Sequence, residues 1–336
     1  MLTFTICGVK GENNFTSSEP YVFVSKWGGK GSGNGQFKQP VYIVVDLEGY
    51  IYITDPPNYR IQKFDSSGKF ITMWGAKGSN DGQFNRIGDI AVDSKGNIYV
   101  SDSLIHRIQK FDSSGKFITM WGAKGDNEDQ FTGPEGIAIE AKGNIFVKDC
   151  LFIKKFDSEG NFISKWYLSG GFKEGVLGDD SGFNTIINLD PWGNAYLIYV
   201  THGYDLSDVK PNERITLGEL ANRSIFIPYI VKYNSSGEFI KKICGYGEGD
   251  EKFKHLSGLT IDSKGYIYIT DSNCIKKFDP DWNLITKWKV LINDGAVQVH
   301  NISSLAVDSK ENIYLIDTGN YCIYKFTPNL NYKQNN

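Results

Sequence analysis

The sequence predicts an all-β chain: a six-bladed β-propeller of four-stranded antiparallel blades, with the last blade closed by the N-terminal strand. Three observations carry that expectation. The nineteen letters RIQKFDSSGKFITMWGAKG at residues 60–78 return unchanged at residues 107–125, an offset of 47, and looser copies occupy residues 153–166, 230–245 and 275–288. A period of this size marks a solenoid, a propeller or an array. Within each period the apolar runs are short, rich in Ile, Val, Tyr and Phe, and bounded by Gly, Asn, Asp or Ser. That pattern reads as four consecutive antiparallel strands joined by tight turns. Finally, the last unit is one strand short, while the N-terminus carries a fourth strand with no unit of its own.

Taken in order, residues 1–20 form an extension in which the segment from Leu2 to Cys7 alternates apolar and polar residues, the period of a half-buried strand. In YVFVSKWG, Phe23, Val24, Trp27 and Gly28 stand where Phe70, Ile71, Trp74 and Gly75 stand in the first full copy. The first unit runs GQFKQPVYIVVD, GYIYITD, RIQKFD, KFITMWG from Gly35 to Gly75. The second begins at Gly82 and the third at Asp129. The fourth is degenerate: its strands FNTIINLD and GNAYLIY are separated from YIVKYN by an insertion at residues 200–228. The fifth begins at Lys252 and the sixth at His300, ending on CIYKF at Phe326. The propeller is thus expected over residues 21–327, with a tail at 328–336. A ring of sheets avoids open edges only if it shuts. Pairing Tyr21 to Trp27 with Cys322 to Phe326 shuts it, and burying Phe23, Val24 and Trp27 at ~1.5–3 kcal/mol each makes closure worth several kcal/mol.

Composition excludes some functions. A formal net charge of −3 and a pI near 5.9 argue against a general nucleic-acid or anionic-membrane binder, which needs a strong positive field. No apolar run approaches the ~20 residues of a membrane helix. The N-terminus MLTFTICGVK lacks a basic leader region. The expectation is a chain that stays inside the cell, or a processed product that is secreted or displayed on a surface. Cys7, Cys150, Cys244, Cys274 and Cys322 show neither a C-x-x-C pair nor metal-type spacing, so no disulfide framework is expected.

The unit G-Q-F-x-x-P-x-G-I-A-V-D-x-x-G-N-I-Y-V-x-D-x-x-N-x-R-I-Q-K-F-D-x-x-G-x-F, matched almost letter for letter at residues 82–117, resembles the NHL repeat, and the likeness extends from Tyr21 to Phe326. The resemblance implies a six-bladed NHL-type propeller. Departures cluster in the fourth unit, where Tyr199 replaces the aspartate found at Asp55, Asp102, Asp149, Asp271 and Asp317. Arginine keeps its place only at Arg60 and Arg107, with Cys322 at the matching spot of unit six.

The strand-end aspartates are expected to be structural, accepting hydrogen bonds from the following loop and from the arginine of the same blade. The glycine-rich stretch at residues 27–37 recurs as a connector between blades and lacks the G-K-[ST] ending of a phosphate loop. Lys63, Lys110, Lys155, Lys232, Lys277 and Lys325, one per third strand, are expected to form a solvated outer ring that discourages edge pairing.

In an up-and-down blade, the turns from strand one to two and from three to four share one face and are nearly uniform here. The remaining connections share the opposite face, and all the irregularity falls there: residues 166–182, 200–228 and 289–300. Long loops on a rigid scaffold are where binding usually resides. The expected site is therefore that face, around blade four. Its candidate residues are Tyr42, Asp89 and Glu135 at the channel mouth, with His202, His255 and His300 around it. Asp89 stands where most NHL relatives have Gly. Asp89 and Glu135 from adjacent blades suit a cation or a basic group of a partner, with two solvated carboxylates as the plainer alternative. Three neutral imidazoles suit zinc, and the resemblance includes a zinc-dependent peptidyl-hydroxyglycine lyase built on this propeller, although no motif here matches its catalytic residues.

The function expected is a non-enzymatic scaffold binding a protein, peptide or glycan, without a cofactor. A metal-dependent lyase or hydrolase using zinc or calcium is the alternative. A further one is self-assembly, with Leu2 to Cys7 added to an exposed blade edge of another copy. RNA binding, a property of related propellers with a basic face, is opposed by Asp89, Glu135, Asp179, Asp180, Asp205 and Asp208.

Overall fold

Each short apolar run becomes a strand in the computed structural model, which describes residues 19–168, 186–204, 224–244, 249, 252–290 and 299–332. Six four-stranded antiparallel sheets result. Blade one comprises β2 (Ile43–Val45), β3 (Ile51–Asp55), β4 (Arg60–Phe64) and β5 (Phe70–Trp74). Blade two comprises β6 (Ile87–Val92), β7 (Ile98–Asp102), β8 (Arg107–Phe111) and β9 (Phe117–Trp121). Blade three comprises β10 (Pro134–Ile139), β11 (Ile145–Asp149), β12 (Phe152–Phe156) and β13 (Phe162–Tyr167). Blade four comprises β14 (Ile187–Leu189), β15 (Ala195–Tyr204), β16 (Ser224–Tyr233) and β17 (Phe239–Cys244). Blade five comprises β18 (Leu256–Ile261), β19 (Ile267–Asp271), β20 (Cys274–Phe278) and β21 (Leu284–Lys289). Blade six joins β22 (Ile302–Val307), β23 (Ile313–Asp317) and β24 (Cys322–Pro328) to β1 (Tyr21–Gly28) from the other end of the chain.

The closure is as the sequence requires: Phe23 pairs with Phe326, Trp27 with Ile323 and Gly28 with Cys322. Val24, expected to be buried, is instead 49% exposed. The register slips between Phe23 and Ser25, and Val24 is the extra residue of that bulge. The slip recurs in the other outer strands, and Ile71, Ile118, Ile163 and Ile240 at the same place are exposed as well. A bulge turns one side chain out of the alternation. The segment from Leu2 to Cys7 lies outside the described residues, as do residues 169–185, 205–223 and 291–298 of the three irregular connections.

The middle strands β3, β7, β11, β19 and β23 are buried along their whole length, which suits sheets covered on both faces. Between blades, the Trp of one outer strand lies over the turn glycine of the next blade. A Cβ at Gly68 would sit 2.5 Å from Trp27, and one at Gly115 2.5 Å from Trp74. Trp121 over Gly160 and Trp166 over Gly237 repeat the contact. At the interface of blades four and five the two sizes are exchanged. Ile243 occupies the strand position, and Trp282 occupies the turn position with φ +73°. Both are buried in one cluster with Tyr196 and Phe278. A left-handed φ costs a non-glycine residue about 1 kcal/mol, and the buried indole offsets that cost. Blade six has no turn from strand three to strand four; there Tyr21 stacks on Trp288 at 4.6 Å and fills the gap.

The third-strand lysines are not a solvated ring. Lys63 Nζ donates to Ser113 O at 2.8 Å, Lys110 to Ser158 O at 3.0 Å and Lys325 to Ser66 O at 2.7 Å, each crossing to the next blade. Lys277 reaches Glu311 of blade six at 3.2 Å, while Lys155 and Lys232 pair with Glu140 and Asp190 of their own blades. Each also lies over the Tyr or Phe of its own second strand. Their alkyl stems cover the blade while the ammonium finds an acceptor, so burial rather than solvation sets their position.

Candidate functional site

The upper face is built on the strand-end aspartates. Asp55 accepts hydrogen bonds from the backbone N–H groups of Lys38 and Gln39, and Asp102 from those of Asn85 and Arg86. Asp149, Asp271 and Asp317 repeat this with Thr132 and Gly133, Lys254 and His255, and His300 and Asn301. The expected structural role therefore holds, with partners beyond those expected. Two donors come from the segment leading into the same blade's first strand, and the following loop adds the side chains of Asn58 and Asn320 and the backbone N–H of Asn320.

The arginines lock the connector between blades. Arg60 lies 3.3 Å from Asp55 and donates to the carbonyls of Ser32, Gly33 and Gln36. Arg107 does the same with Ser79, Asn80 and Gln83, all at 2.9 Å. Blades three and five have no arginine, and a lysine two positions further along takes over. Lys154 binds Asp149 at 3.2 Å and the carbonyls of Asn127 and Gln130. Lys276 binds Asp271 at 3.2 Å and the carbonyls of Gly249 and Lys252. These two blades also have the shortest upper hairpins, of two residues instead of four. In blade four the Asp–Arg pair becomes Tyr199 against Tyr229, stacked at 5.3 Å.

Among the described residues, blade four also rises above the rest. The insertion was expected to begin as a loop at Val200, but its two ends continue the strands. Val200 pairs with Pro228, and pairing persists to Tyr204 with Ser224. Five pairs beyond the blade, at ~3.3 Å per residue, lift a two-stranded ribbon about 17 Å above the face.

At the centre, the six inner strands enclose a channel of about 220 Å³ whose lining includes Tyr42, Asp89, Asn188 and Ser304. Asp89 is 7% exposed and bridges two blades: Oδ1 accepts from Ile90 N at 2.8 Å and Oδ2 from Ile137 N of blade three at 3.1 Å. Burial pushes its carboxyl up to about 7, against the pull of those two N–H groups. Glu135 is engaged elsewhere, 3.2 Å from the ammonium of Lys148. Lys148 replaces the hydroxyl that Thr54, Ser101 and Thr270 present at the same place. Each carboxylate thus has its own partners inside the protein. No cluster of three or more His, Cys, Asp or Glu suited to a metal occurs among the described residues.

The histidines fall on the expected face without converging in register. His255 and His300 are exposed, and each offers its backbone N–H to the strand-end aspartate of its blade. His255 holds the second of the two donor positions and His300 the first, so they occupy neighbouring, not equivalent, places on the same segment. His202 is a ribbon residue, paired through its backbone with Phe226. Sequence reasoning missed Lys148, Lys154 and Lys276. The available signal was a lysine in the second or third strand of blades whose upper hairpins are two residues shorter.

Fold and face define a closed six-bladed β-propeller with one elaborated rim. A family model described as a 6-bladed beta-propeller, DUF5128, matches residues 37–120. A search of the curated proteins finds no match. Among solved structures, a streptogramin B lyase is similar at 15% identity, with a TM-score of 0.55 over 88% of this chain and 96% of its own. A protein of unknown function from Bacteroides thetaiotaomicron is also 15% identical, with a TM-score of 0.61 over 91% of this chain and 75% of its own. A gluconolactonase from Xanthomonas campestris is 10% identical, with a TM-score of 0.56 over 88% of each chain. At these identities the shared property is the fold.

Proposed function

We propose that this chain, an NHL-type propeller by its repeat, is a binding scaffold. It engages a protein, peptide or glycan with the upper face around blade four. The observation that carries the reading is the ribbon of β15 and β16, ten residues per strand where the middle strands of the other blades have mostly five. It stands beside the channel mouth on a scaffold whose opposite face is uniform turns. A rigid ring presenting one raised hairpin is suited to recognition, because little is ordered on binding. Replacing residues 200–228 by the four-residue connection of blade one (Pro-Pro-Asn-Tyr) should leave the melting temperature within a few degrees. It should abolish retention on the glycan array or peptide library that retains the parent chain. Equal retention by both proteins refutes the reading.

The enzymes among the structural neighbours, together with the exposed His255 and His300, favour a second reading as a metal-dependent lyase or hydrolase. Metal analysis separates the two, since less than about a tenth of an equivalent of zinc or calcium in the purified protein retires the metal-dependent reading. No helix among the described residues is long and apolar enough to cross a membrane.

A further inference from the structure

A guanidinium fills the same slot of the upper rim in blades one and two. Arg60 Nη1 donates to Ser32 O at 2.7 Å and touches Met73 Sδ at 3.2 Å, while Nη2 donates to the carbonyls of Gly33 and Gln36. Arg107 repeats this with Ser79, Met120, Asn80 and Gln83. In blade three, Phe152 faces Asp149 as Arg60 faces Asp55. Its ring packs on Tyr167 at 5.6 Å, outside the slot. Lys154 replaces only one half of the guanidinium. It donates to the carbonyls of Asn127 and Gln130, the counterparts of Gly33 and Gln36. Among the described residues, no donor takes the place of Nη1 on Asp126 O, the counterpart of Ser32 O. Met73 corresponds in register to Lys165 of β13. Asp126 and Lys165 line an open cleft of about 420 Å³, together with Asn127, Glu128 and Asp129. That cleft is the vacated end of the arginine slot.

The charge of the connector changes where the arginine is lost. SGNGQ and SNDGQ become DNEDQ, so Asp126, Glu128 and Asp129 stand where blade one has Ser32, Asn34 and Gly35. All three are exposed, and their carboxylates have no hydrogen-bond or ion-pair partner among the described residues. The one ammonium among the described lining residues, that of Lys165, lies over the Phe152 ring at 5.7 Å and pairs with none of them. We infer that this cleft on blade three receives an arginine side chain of a peptide or protein partner. The partner supplies from outside the guanidinium that blades one and two supply themselves. The acids alone do not mark the site; the same slot holding a guanidinium twice in this chain does. A rigid fork of donors suits a carbonyl and carboxylates side by side, as Asp126 and Glu128 offer them. Phe152 and Tyr167, 37% and 55% exposed, present aromatic surface next to Lys165 for the residues flanking that arginine. The inference goes beyond the blade-four reading, since no described residue of the ribbon lines the cleft.

The probe is acetyl-Gly-Arg-Gly-amide, titrated by calorimetry at low salt beside the lysine peptide and the uncharged citrulline peptide. The arginine peptide should bind with a dissociation constant on the order of 1 mM or tighter. The lysine peptide should bind more weakly and the citrulline peptide not at all. Free arginine, whose own carboxylate meets the acidic lining, should also bind more weakly than the peptide. The double variant Asp126→Asn/Glu128→Gln changes two exposed side chains and should weaken binding about tenfold while the melting temperature holds. Phe152→Arg, which rebuilds the filling of blade one, should block the peptide by occupying the slot. The chain with residues 200–228 replaced should bind the peptide like the parent, which separates this site from the ribbon. The proposal is overturned if the arginine peptide does not bind, or if the lysine peptide, the citrulline peptide or free arginine binds as tightly. It is equally overturned if either folded variant binds like the parent, or if removing the ribbon removes the binding.

Discussion

Blades two and five share a skeleton and differ in what holds the upper rim. In blade two, Arg107 ties the connector through three carbonyls. In blade five, Lys276 reaches two of them from two positions further along, and a cleft stays open beside Cys274. The lower half of each blade keeps the same chemistry. The turn carboxylates Asp93 and Asp262 each accept from the backbone and from the hydroxyls of Tyr99 and Tyr268. From blade to blade the lower turns and the middle strands repeat, and the upper rim is where one residue stands in for another while the ring still closes.

The largest effect is expected where the two blades meet their neighbours. Trp282→Gly should cost about 3–4 kcal/mol in urea unfolding, the loss of a buried indole less the relief of its φ. Ile243→Trp alone should cost about 1–3 kcal/mol by overpacking. The double variant rebuilds the arrangement of Trp74 over Gly115 and should return to within about 1 kcal/mol of the parent. Simple additivity would show that the exchange is not coupled. Next, Arg107→Ala should destabilise blade two by about 2–3 kcal/mol through three unpaired carbonyls and a buried Asp102. Lys276→Ala should do comparable damage in blade five, and a negligible change in either would break the equivalence drawn between them.

A comparable effect is a pH dependence centred on Asp89 of blade two. The Asp89 carboxyl titrates near 7 when folded and near 3.9 when unfolded, so the folded state holds the proton more tightly. Its contribution is therefore full below pH ~4 and is lost as pH rises through about 7, on the order of 2–4 kcal/mol. Asp89→Asn should remove that slope between pH 4 and 7. It should also cost about 1 kcal/mol at pH 5, because the amide cannot accept from both Ile90 and Ile137. An unchanged slope would show that Asp89 does not titrate in this range. Smallest of all, Lys63→Met should cost about 0.5–1.5 kcal/mol, one hydrogen bond to Ser113.

The ring itself was legible because a period, a strand count and an unpaired end are properties of the letters alone. So was the face that carries the ribbon, since connection length fixes where irregularity lies. Side-chain partners were not. Lys63 looks like a surface charge in the sequence, and only the fan of neighbouring blades shows that Ser113 O waits for it. Asp89 and Glu135 look like a pair because they fall in adjacent units, yet Lys148, inconspicuous in the run FVKD, claims one of them. The exchange of Ile243 with Trp282 was written in the repeats, as a Trp missing from one unit and present in the turn of the next. Reading it required knowing that those two positions touch.

The seam of blade six has a mechanical consequence. Tyr21 lies opposite Pro328, and the backbone N–H of Asn329 donates to Pro20 O at 2.9 Å, so the two exits of the chain sit side by side on the rim. Tension applied between them would peel β1 from β24 one rung at a time, from Tyr21 toward Gly28, instead of shearing all the rungs together. A toroid that resists heat through its whole circumference would therefore open under small forces at this one point, like a zip pulled from its tab.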